Sequence, residues 1–188
     1  MNARATVCVL TLAVIGAVLT ITTEPQQSKQ SPAPEQTRFG LEELVRHPVR
    51  LPEAVLKILG DDGEVRSSRC VSEDDQAQAI SASWVEASQI HLDGPNEADL
   101  LVKAKDRCLF GANIGPFWIF KSSPQGYRLV LAVSALGVDV LRHKTNGMRD
   151  VSAGAVAGGK AVSVRFKFDG QKYTQSETKT EETKQQIN

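Results

Sequence analysis

The chain has 188 residues, with 22 acidic and 22 basic side chains and a formal net charge of zero. This length suits one domain with a single core and is too short for two domains of ordinary size. The apolar share of 41% and the charged share of 23% lie near the averages of soluble proteins. They exclude a wholly disordered chain and a protein with several membrane spans.

The N-terminus carries a basic residue followed by an apolar run. Arg4 precedes residues 5–22, which contain no charged side chain and many large aliphatic ones. A signal peptide has an apolar stretch of about 7–15 residues, whereas a membrane-spanning helix needs about 20. Residues 1–22 therefore predict export, either as a cleaved signal peptide or as an anchor in the inner membrane. Both alternatives leave the rest of the chain extracytoplasmic, in the periplasm or secreted.

Composition divides the remainder into a folded domain and two polar flanks. Residues 23–38 contain three prolines and several glutamines, which predicts a disordered linker. Residues 175–188 are almost devoid of apolar side chains, so we expect a disordered tail. The globular domain is then residues 39–174.

Two short helices are expected at the start of this domain. Leu41, Leu44 and Val45 share one helical face. A second helix is predicted from residues 51–53 to just before Gly60, because proline suits the first helical position and glycine the position after the last.

From about residue 81 the apolar period changes to two, which is typical of half-buried strands. In residues 160–168, alternation assigns one set of side chains to the core and places Arg165 and Lys167 on the exposed face; the core set is Val162, Val164, Phe166 and Phe168. Residues 117–120 are apolar on both faces and predict a central strand. Turn pairs such as Asn146-Gly147 imply antiparallel neighbours. We expect an α+β fold: short N-terminal helices followed by a meandering antiparallel β-sheet of about six or seven strands.

The cysteines predict a disulfide bond. Cys8 lies in the apolar run, so an exported domain retains only Cys70 and Cys108. Thiols in an oxidising compartment commonly pair. Two separate buried thiols are the alternative.

An acidic loop separates two predicted strands and offers oxygen ligands. Its candidates for calcium are Asp93, Asn96, Glu97 and Asp99. Calcium takes 6–8 oxygen ligands, but Pro95 in the same loop has no side-chain oxygen. A calcium site and a plain connecting turn both stay open, and no other cofactor is indicated.

Three segments resemble motifs of a group of uncharacterised bacterial exported proteins. They are the acidic loop, the TNGMRD segment at 145–150 and the FDGQKY segment at 168–173. The group carries an xDLNGDGxxDLxV loop like that of FG-GAP repeats in integrin-type propellers, a TNGYRD turn and a terminal FDGxxY. The likeness spans roughly residues 81–173, and this chain departs from the loop pattern at His91, Pro95 and Asn96. The resemblance implies a family of unknown function, and a single loop excludes a propeller.

Charge is distributed unevenly, and this is the main indication of a partner. Acidic residues predominate in 41–99 and basic residues in 121–173. Arg149, Arg165 and Lys167 are the candidate binding residues, with an envelope component or a protein as the expected partner. Nucleic acid is not expected, because aromatic residues are not interleaved with the basic ones.

The sequence therefore predicts an extracytoplasmic binding or interaction module rather than an enzyme. The alternative is a small extracytoplasmic hydrolase that uses His91 as a base beside Asp93 and Asp99. The two hypotheses differ in whether these three side chains converge in a pocket.

Overall fold

The computed structural model of the chain describes residues 35–71, 80–111 and 113–182. In this part of the chain the strands are β1 (Arg38–Gly40), β2 (Val85–Ile90), β3 (Asp99–Ala104), β4 (Gly115–Ser123), β5 (Gly126–Ala135), β6 (Gly137–Thr145), β7 (Met148–Ala157), β8 (Lys160–Phe168) and β9 (Tyr173–Glu182). Two short helices, α1 (Glu53–Gly60) and α2 (Gly63–Arg66), precede β2. Single 3-10 turns lie at Ala82–Trp84 and Arg107–Leu109. The described domain is thus mostly β.

The strands form two antiparallel sheets. The order is β2-β3-β4-β5 in the four-stranded sheet and β1-β6-β7-β8-β9 in the five-stranded sheet. The chain passes from one to the other at Leu136, between β5 and β6. The expected antiparallel meander is confirmed, but the prediction of one sheet with six or seven strands was wrong. Because the strands separate into two sheets at Leu136, the apolar faces of both sheets contribute to one core.

The core is centred on β4. Its residues 115–120 are all buried, and β4 lies between β3 and β5, so the predicted central strand is confirmed. The largest fully buried apolar side chains include Trp118, Phe39, Phe117, Phe120, Leu101 and Ile119. Between β6 and β7, Asn146 and Gly147 have φ angles of 51° and 81°, as a two-residue hairpin requires.

Only one of the two predicted helices forms where expected. The second prediction is confirmed by α1, which follows Pro52 and buries Val55 and Leu59. The predicted helix around Leu41 is absent, and the side chain of Leu44 is 77% exposed. This helix prediction was wrong.

Tertiary hydrogen bonds explain the absent helix. The carbonyl oxygens of Leu41 and Glu43 accept from Nζ of the buried Lys103 at 2.8 and 2.6 Å. The N–H of Leu41 donates to the carbonyl oxygen of Leu136 at 2.8 Å. These contacts tie residues 41–43 to the sheets, where the ammonium of Lys103 is also paired with Glu86 at 2.9 Å.

The C-terminal boundary also differs from the expectation. Residues 175–182, predicted to be a disordered tail, belong to β9 and pair along β8. Backbone hydrogen bonds to a neighbouring strand form without apolar side chains, which is why the composition misled the prediction. Residues 183–188, like the predicted signal or anchor at 1–22 and residues 23–34 of the predicted linker, lie outside the described residues. The last linker residues are ordered, since Gln36 is buried and Arg38 begins β1. Within the described ranges, no helix has the length and apolarity to cross a membrane.

The side chains of β8 alternate between the two faces of the sheet as predicted, but those of the inner face are less buried than expected. Phe168 is buried, but Phe166, Val164 and Val162 are only half-buried. Beyond them β9 supplies polar partners, since the residue opposite Phe166 is Gln175. The apolar face of β8 is therefore incompletely covered at this side of the sheet.

Candidate functional site

The disulfide between Cys70 and Cys108 is present, with the two Cα atoms 5.0 Å apart. This prediction is confirmed. The bond links the segment after α2 to the 3-10 turn at Arg107–Leu109, and the N–H of Arg69 donates to the carbonyl oxygen of Cys108 at 3.2 Å. Cys108 is therefore a structural residue and not a free thiol.

Asp99 of the acidic loop has a structural role. Its carboxylate is fully buried and accepts from the N–H of Leu92 at 3.0 Å and from the N–H of Ser122 at 2.8 Å. Burial raises the pKa of Asp99, and the two hydrogen bonds only partly offset that effect. Through these two hydrogen bonds, Asp99 holds the loop residue Leu92 close to Ser122 at the end of β4.

Asp93 binds the neighbouring lysine. One carboxylate oxygen pairs with Nζ of Lys121, and the other is buried without a hydrogen-bond partner in the described residues. Burial by itself would raise the pKa of Asp93, but the hydrogen bond and charge of Lys121 prevail and lower it. The ammonium group of Lys121 supplies the positive charge that a bound cation would bring.

The two other predicted calcium ligands are Glu97 and Asn96, and their environments differ. Oε2 of Glu97 accepts from the hydroxyl of Ser122 at 3.2 Å, and Asn96 is exposed. Among the residues that the structure describes, no group of three or more His, Cys, Asp or Glu side chains is arranged to hold a metal ion. The calcium site stays a prediction, and the plain connecting turn accounts for the contacts observed.

Replacing Lys121 by methionine should destabilise the domain most at neutral pH. Because the pKa of Asp93 is lowered in the fold, its ionisation stabilises the fold above the ordinary carboxyl range and this contribution is lost as the pH falls. The difference between variant and parent should therefore shrink from pH 7 towards pH 3. Urea unfolding at both pH values measures it, with Lys105→Met, an exposed lysine, as the control. An equal difference at both pH values would show that the pair contributes through packing alone.

The hydrolase alternative required His91, Asp93 and Asp99 to act together. Nδ1 of His91 lies 2.7 Å from the carbonyl oxygen of Glu97. No hydrogen bond joins His91 to either carboxylate in the described part of the chain. Since both carboxylates are held by other groups, the three side chains do not form an acid–base constellation here.

A different histidine–carboxylate pair is present and was missed from the sequence. Nδ1 of His143 lies 2.8 Å from Oδ2 of Asp150, whose side chain is fully buried, while that of His143 is 61% exposed. Oδ1 of Asp150 has no partner among the described residues. The turn at Asn146-Gly147 gave a partial signal, because it pairs Lys144 with Arg149, and His143 and Asp150 are the next residues on either side of a register shift.

Arg149, a predicted binding residue, is an internal clamp. Its guanidinium donates to the carbonyl oxygens of Leu141 at 2.7 Å and Val140 at 2.9 Å, and it pairs with Glu35 at 2.9 Å. It also reaches the carbonyl oxygen of His91 at 3.3 Å. With 12% of its side chain exposed, Arg149 is not available to a partner.

The three segments that resemble the exported-protein motifs contact one another near Arg149. The N–H of Arg149 donates to the carbonyl oxygen of Leu92 at 2.8 Å, which joins the second motif to the acidic loop. The side-chain amide of Asn146 donates to the carbonyl oxygen of Phe168 at 2.8 Å, and the hydroxyl of Tyr173 donates to that of Arg149 at 2.6 Å. Burial raises the pKa of Tyr173, in keeping with a hydroxyl that stays protonated and donates. In this fold the motifs form a structural junction between the sheets.

The other two predicted binding residues lie on the outer face of the five-stranded sheet, the face opposite Val138, Val151 and Ala153 in the core. One row of this face runs across all five strands in register through Arg38, Asp139, Ser152, Arg165 and Glu177. Arg165 lies between two carboxylates, 4.0 Å from Asp150 and 3.9 Å from Glu177. Lys167 is half-buried and makes no ion pair with a described residue. The predicted basic strand face is therefore an ordered face of mixed charge.

The next row of the outer face forms a trough of about 530 Å³. Its residues in register are Gly40, Gly137, Gly154, Ser163 and Lys179. The hydroxyls of Ser152 and Ser163, 2.9 Å apart, lie along it. The ends carry charges of both signs, from Arg38 and Asp139 to Lys179 and Glu181.

The three glycines of the trough differ in how closely other atoms approach the position that a Cβ atom would take. A Cβ atom on Gly137 would come within 3.0 Å of the carbonyl oxygen of Phe39, and one on Gly40 within 2.9 Å of the Glu43 side chain. A Cβ atom on Gly154 would meet no described atom closer than 4.0 Å. Backbone packing therefore explains Gly137, the side chain of Glu43 beside Gly40 can move aside, and Gly154 is left unexplained.

A larger cleft of about 860 Å³ lies beside the disulfide. Its Glu64 accepts from the hydroxyl of Ser134 at 2.5 Å, and its Arg69 donates to the carbonyl oxygen of Arg107 at 3.2 Å. These polar groups are used internally. Residue 112, which follows the lining residue Gly111 in the sequence, lies outside the described ranges, so the outer-face trough is the better-defined site.

No known family model matches the chain, and no curated protein or solved structure shows significant similarity to it. The resemblance to exported proteins with a degenerate FG-GAP-like loop accordingly stays a prediction, and the function is argued from the site itself.

Proposed function

We propose that the domain is a non-enzymatic, extracytoplasmic binding module that receives its partner in the trough on the outer face of the five-stranded sheet. The observation that carries this proposal is Gly154. Glycine inside a strand costs about 0.5–1 kcal/mol relative to alanine. It often marks a place where a ligand or another backbone approaches closely. Among the described residues no atom comes closer than 4.0 Å to the position of a Cβ atom on Gly154, and this space supports the approach of an external partner.

The lining of the trough indicates the chemistry of the partner. Its floor is backbone, glycine and the paired hydroxyls of Ser152 and Ser163, and its ends are charged. Such a surface offers hydrogen bonds along an extended polar chain and little apolar contact. At the β8–β9 side Lys167 provides positive charge, whereas Lys179 lies 3.5 Å from Glu177. An envelope polymer or an extended protein segment with anionic groups fits these features, and the Cys70–Cys108 disulfide supports an oxidising compartment.

The hydrolase alternative has weaker support. His91 is engaged by the carbonyl oxygen of Glu97, and the His143–Asp150 pair has no nucleophile bonded to the imidazole in the described residues. The hydroxyls of Ser152 and Ser163 bond each other instead. A general base without a positioned nucleophile gives no route to covalent hydrolysis.

The test is to fill the trough with Gly154→Val. Valine suits a strand and meets open space, so the free energy of unfolding should stay equal or rise by up to about 1 kcal/mol. Co-sedimentation of the chain with the cell-envelope fraction should fall to background. Ala132→Val, which places the same side chain at an exposed position of β5, is the matched control and should bind normally. Full binding by a folded Gly154→Val variant would refute the trough as the site.

A further inference from the structure

A smaller pocket, of about 460 Å³, lies beside β1 at the start of the described domain. It is bounded by the residues before β1 and by the middle of β6. We call it the arginine pocket, because Arg38, Arg46 and Arg142 all line it. The carboxylates available to balance these positive charges are those of Glu35 and Asp139, which line the same pocket.

Both carboxylates of the arginine pocket are already paired. Oε1 of Glu35 accepts from the N–H of His91 at 2.9 Å, and Oε2 pairs with the guanidinium of Arg149 at 2.9 Å. Oδ1 of Asp139 accepts from Nε of Arg38 at 3.0 Å. Each carboxylate is thus neutralised by one arginine, and the charges of the two other arginines of the pocket are left unbalanced.

Arg46 and Arg142 have free guanidinium groups. Both residues are exposed, and neither side chain makes a hydrogen bond or an ion pair with a described residue. A guanidinium presents its N–H donors in a planar fork that matches the oxygens of a phosphate or a carboxylate. A carboxylate has two oxygens, which one fork can occupy. A phosphate group has more oxygens and can accept from both forks at once, so the pocket suits phosphate better.

The backbone that carries the two free arginines is ordered. The side-chain oxygen of Gln36, a buried residue, accepts from the N–H of Arg46 at 2.9 Å. On the other side of the pocket, β6 has a register shift between Val140 and Lys144, the stretch that contains Arg142. Irregularities of this kind re-aim side chains and are common beside functional sites. Arg46 is thus presented by a loop that Gln36 holds, and Arg142 by a bulged strand.

From these contacts we propose that the arginine pocket binds a phosphate group between the guanidiniums of Arg46 and Arg142. The pocket adjoins the trough, since Arg38 and Asp139 line both. A polymer that lies in the trough can carry a phosphate group into the pocket, and a lipid headgroup or free phosphate offers the same chemistry. The phosphate site goes beyond the trough, because its two free arginines are not part of the trough lining.

Inorganic phosphate added to the full chain tests the site, with the arginine side chains followed by NMR. The Nε–H signals of Arg46 and Arg142 should shift together and saturate as a single site. Those of Arg50 and Arg107, which are exposed outside the pocket, should not follow the same curve. Acetate at the same ionic strength should bind about tenfold more weakly, because its two oxygens occupy one fork.

Charge-neutral variants test the two arginines. Arg46→Gln combined with Arg142→Gln should weaken phosphate binding at least about tenfold, since the charged hydrogen bonds are lost. The fold should stay intact, because neither side chain has a described partner to lose. Arg50→Gln combined with Arg107→Gln removes the same charge outside the pocket and should bind phosphate like the parent. Equal weakening in both double variants would overturn the proposal, as would signals that never saturate or that acetate shifts equally.

Further samples identify the source of the phosphate and separate this site from the trough. Gly154→Val should bind inorganic phosphate like the parent, so failure of the trough and failure of the phosphate site are distinguishable. Excess inorganic phosphate should release the parent from the envelope fraction if an envelope polymer supplies the group. Vesicles of phosphatidylglycerol, but not of phosphatidylcholine, should co-sediment with the parent if a lipid supplies it. Saturable phosphate binding with neither result assigns the site to the free ion.

Discussion

Replacing Arg149 by alanine is expected to lower the free energy of unfolding by about 3–5 kcal/mol, the range for breaking a buried ion pair by removing one partner. The guanidinium satisfies three backbone carbonyl oxygens, those of Leu141, Val140 and His91, and the carboxylate of Glu35. Alanine would leave these acceptors with fewer donors in a mostly buried place. It would also loosen the junction where the acidic loop meets β6 and β7.

Chemical denaturation with urea at pH 7 measures this effect. Arg149→Lys should be nearly as destabilising, because an ammonium group cannot reproduce the planar fork that reaches Leu141 and Val140 together. Arg165→Ala is the matched control: its two ion pairs are long, and the buried Asp150 keeps its hydrogen bond with His143, so a change within about 1 kcal/mol is expected. An Arg149→Ala variant as stable as Arg165→Ala would show that water or neighbouring groups replace the guanidinium.

Local signals predicted the parts of the fold that depend on local contacts. The α1 helix follows from Pro52, the burial of Val55 and Leu59, and Gly60. The hairpin at Asn146-Gly147 follows from the φ angles that only a few residues adopt easily. The helix expected at Leu41 failed because its carbonyl oxygen is bound by Lys103, 62 residues away, and no local pattern reveals such a contact.

The strand β9 shows the limit of composition as a predictor. Its residues after Tyr173 are polar and exposed, as in a disordered segment, yet they pair with β8 along their length. The decisive contribution is the backbone ladder that β8 offers. Whether a polar segment pairs therefore depends on an edge formed elsewhere in the chain.

The candidate site was only partly accessible from the sequence. The alternation in β8 correctly placed Arg165 on an outer face, and the hairpin could have shown that His143 and Asp150 lie near each other. The trough could not have been found in this way, because Gly40, Gly137 and Gly154 come from β1, β6 and β7, and β1 is far from β6 in the sequence although the two strands pair. In the sequence Arg149 could not be distinguished from the basic residues near it. The pairing of its strand places its side chain towards the interior of the domain.

The second large effect is expected from removing the disulfide with Cys70→Ser and Cys108→Ser together. The bond closes a loop with a sequence separation of 38 residues, and the chain-entropy model gives about 3–4 kcal/mol for a loop of this size. Both cysteines are only half-buried, so serine itself should cost little. The loss should come mainly from the greater freedom of the unfolded chain.

Urea unfolding of the double variant, compared with the oxidised and the reduced parent, separates the bond from the substitutions. The reduced parent and the double variant should unfold at the same urea concentration, well below that of the oxidised parent. The α2 helix and the 3-10 turn at Arg107–Leu109 should lose protection from hydrogen exchange first, because the disulfide and the hydrogen bonds of the adjacent Arg69 join these two segments. A double variant within about 1 kcal/mol of the oxidised parent would mean that the unfolded chain already keeps these two segments close.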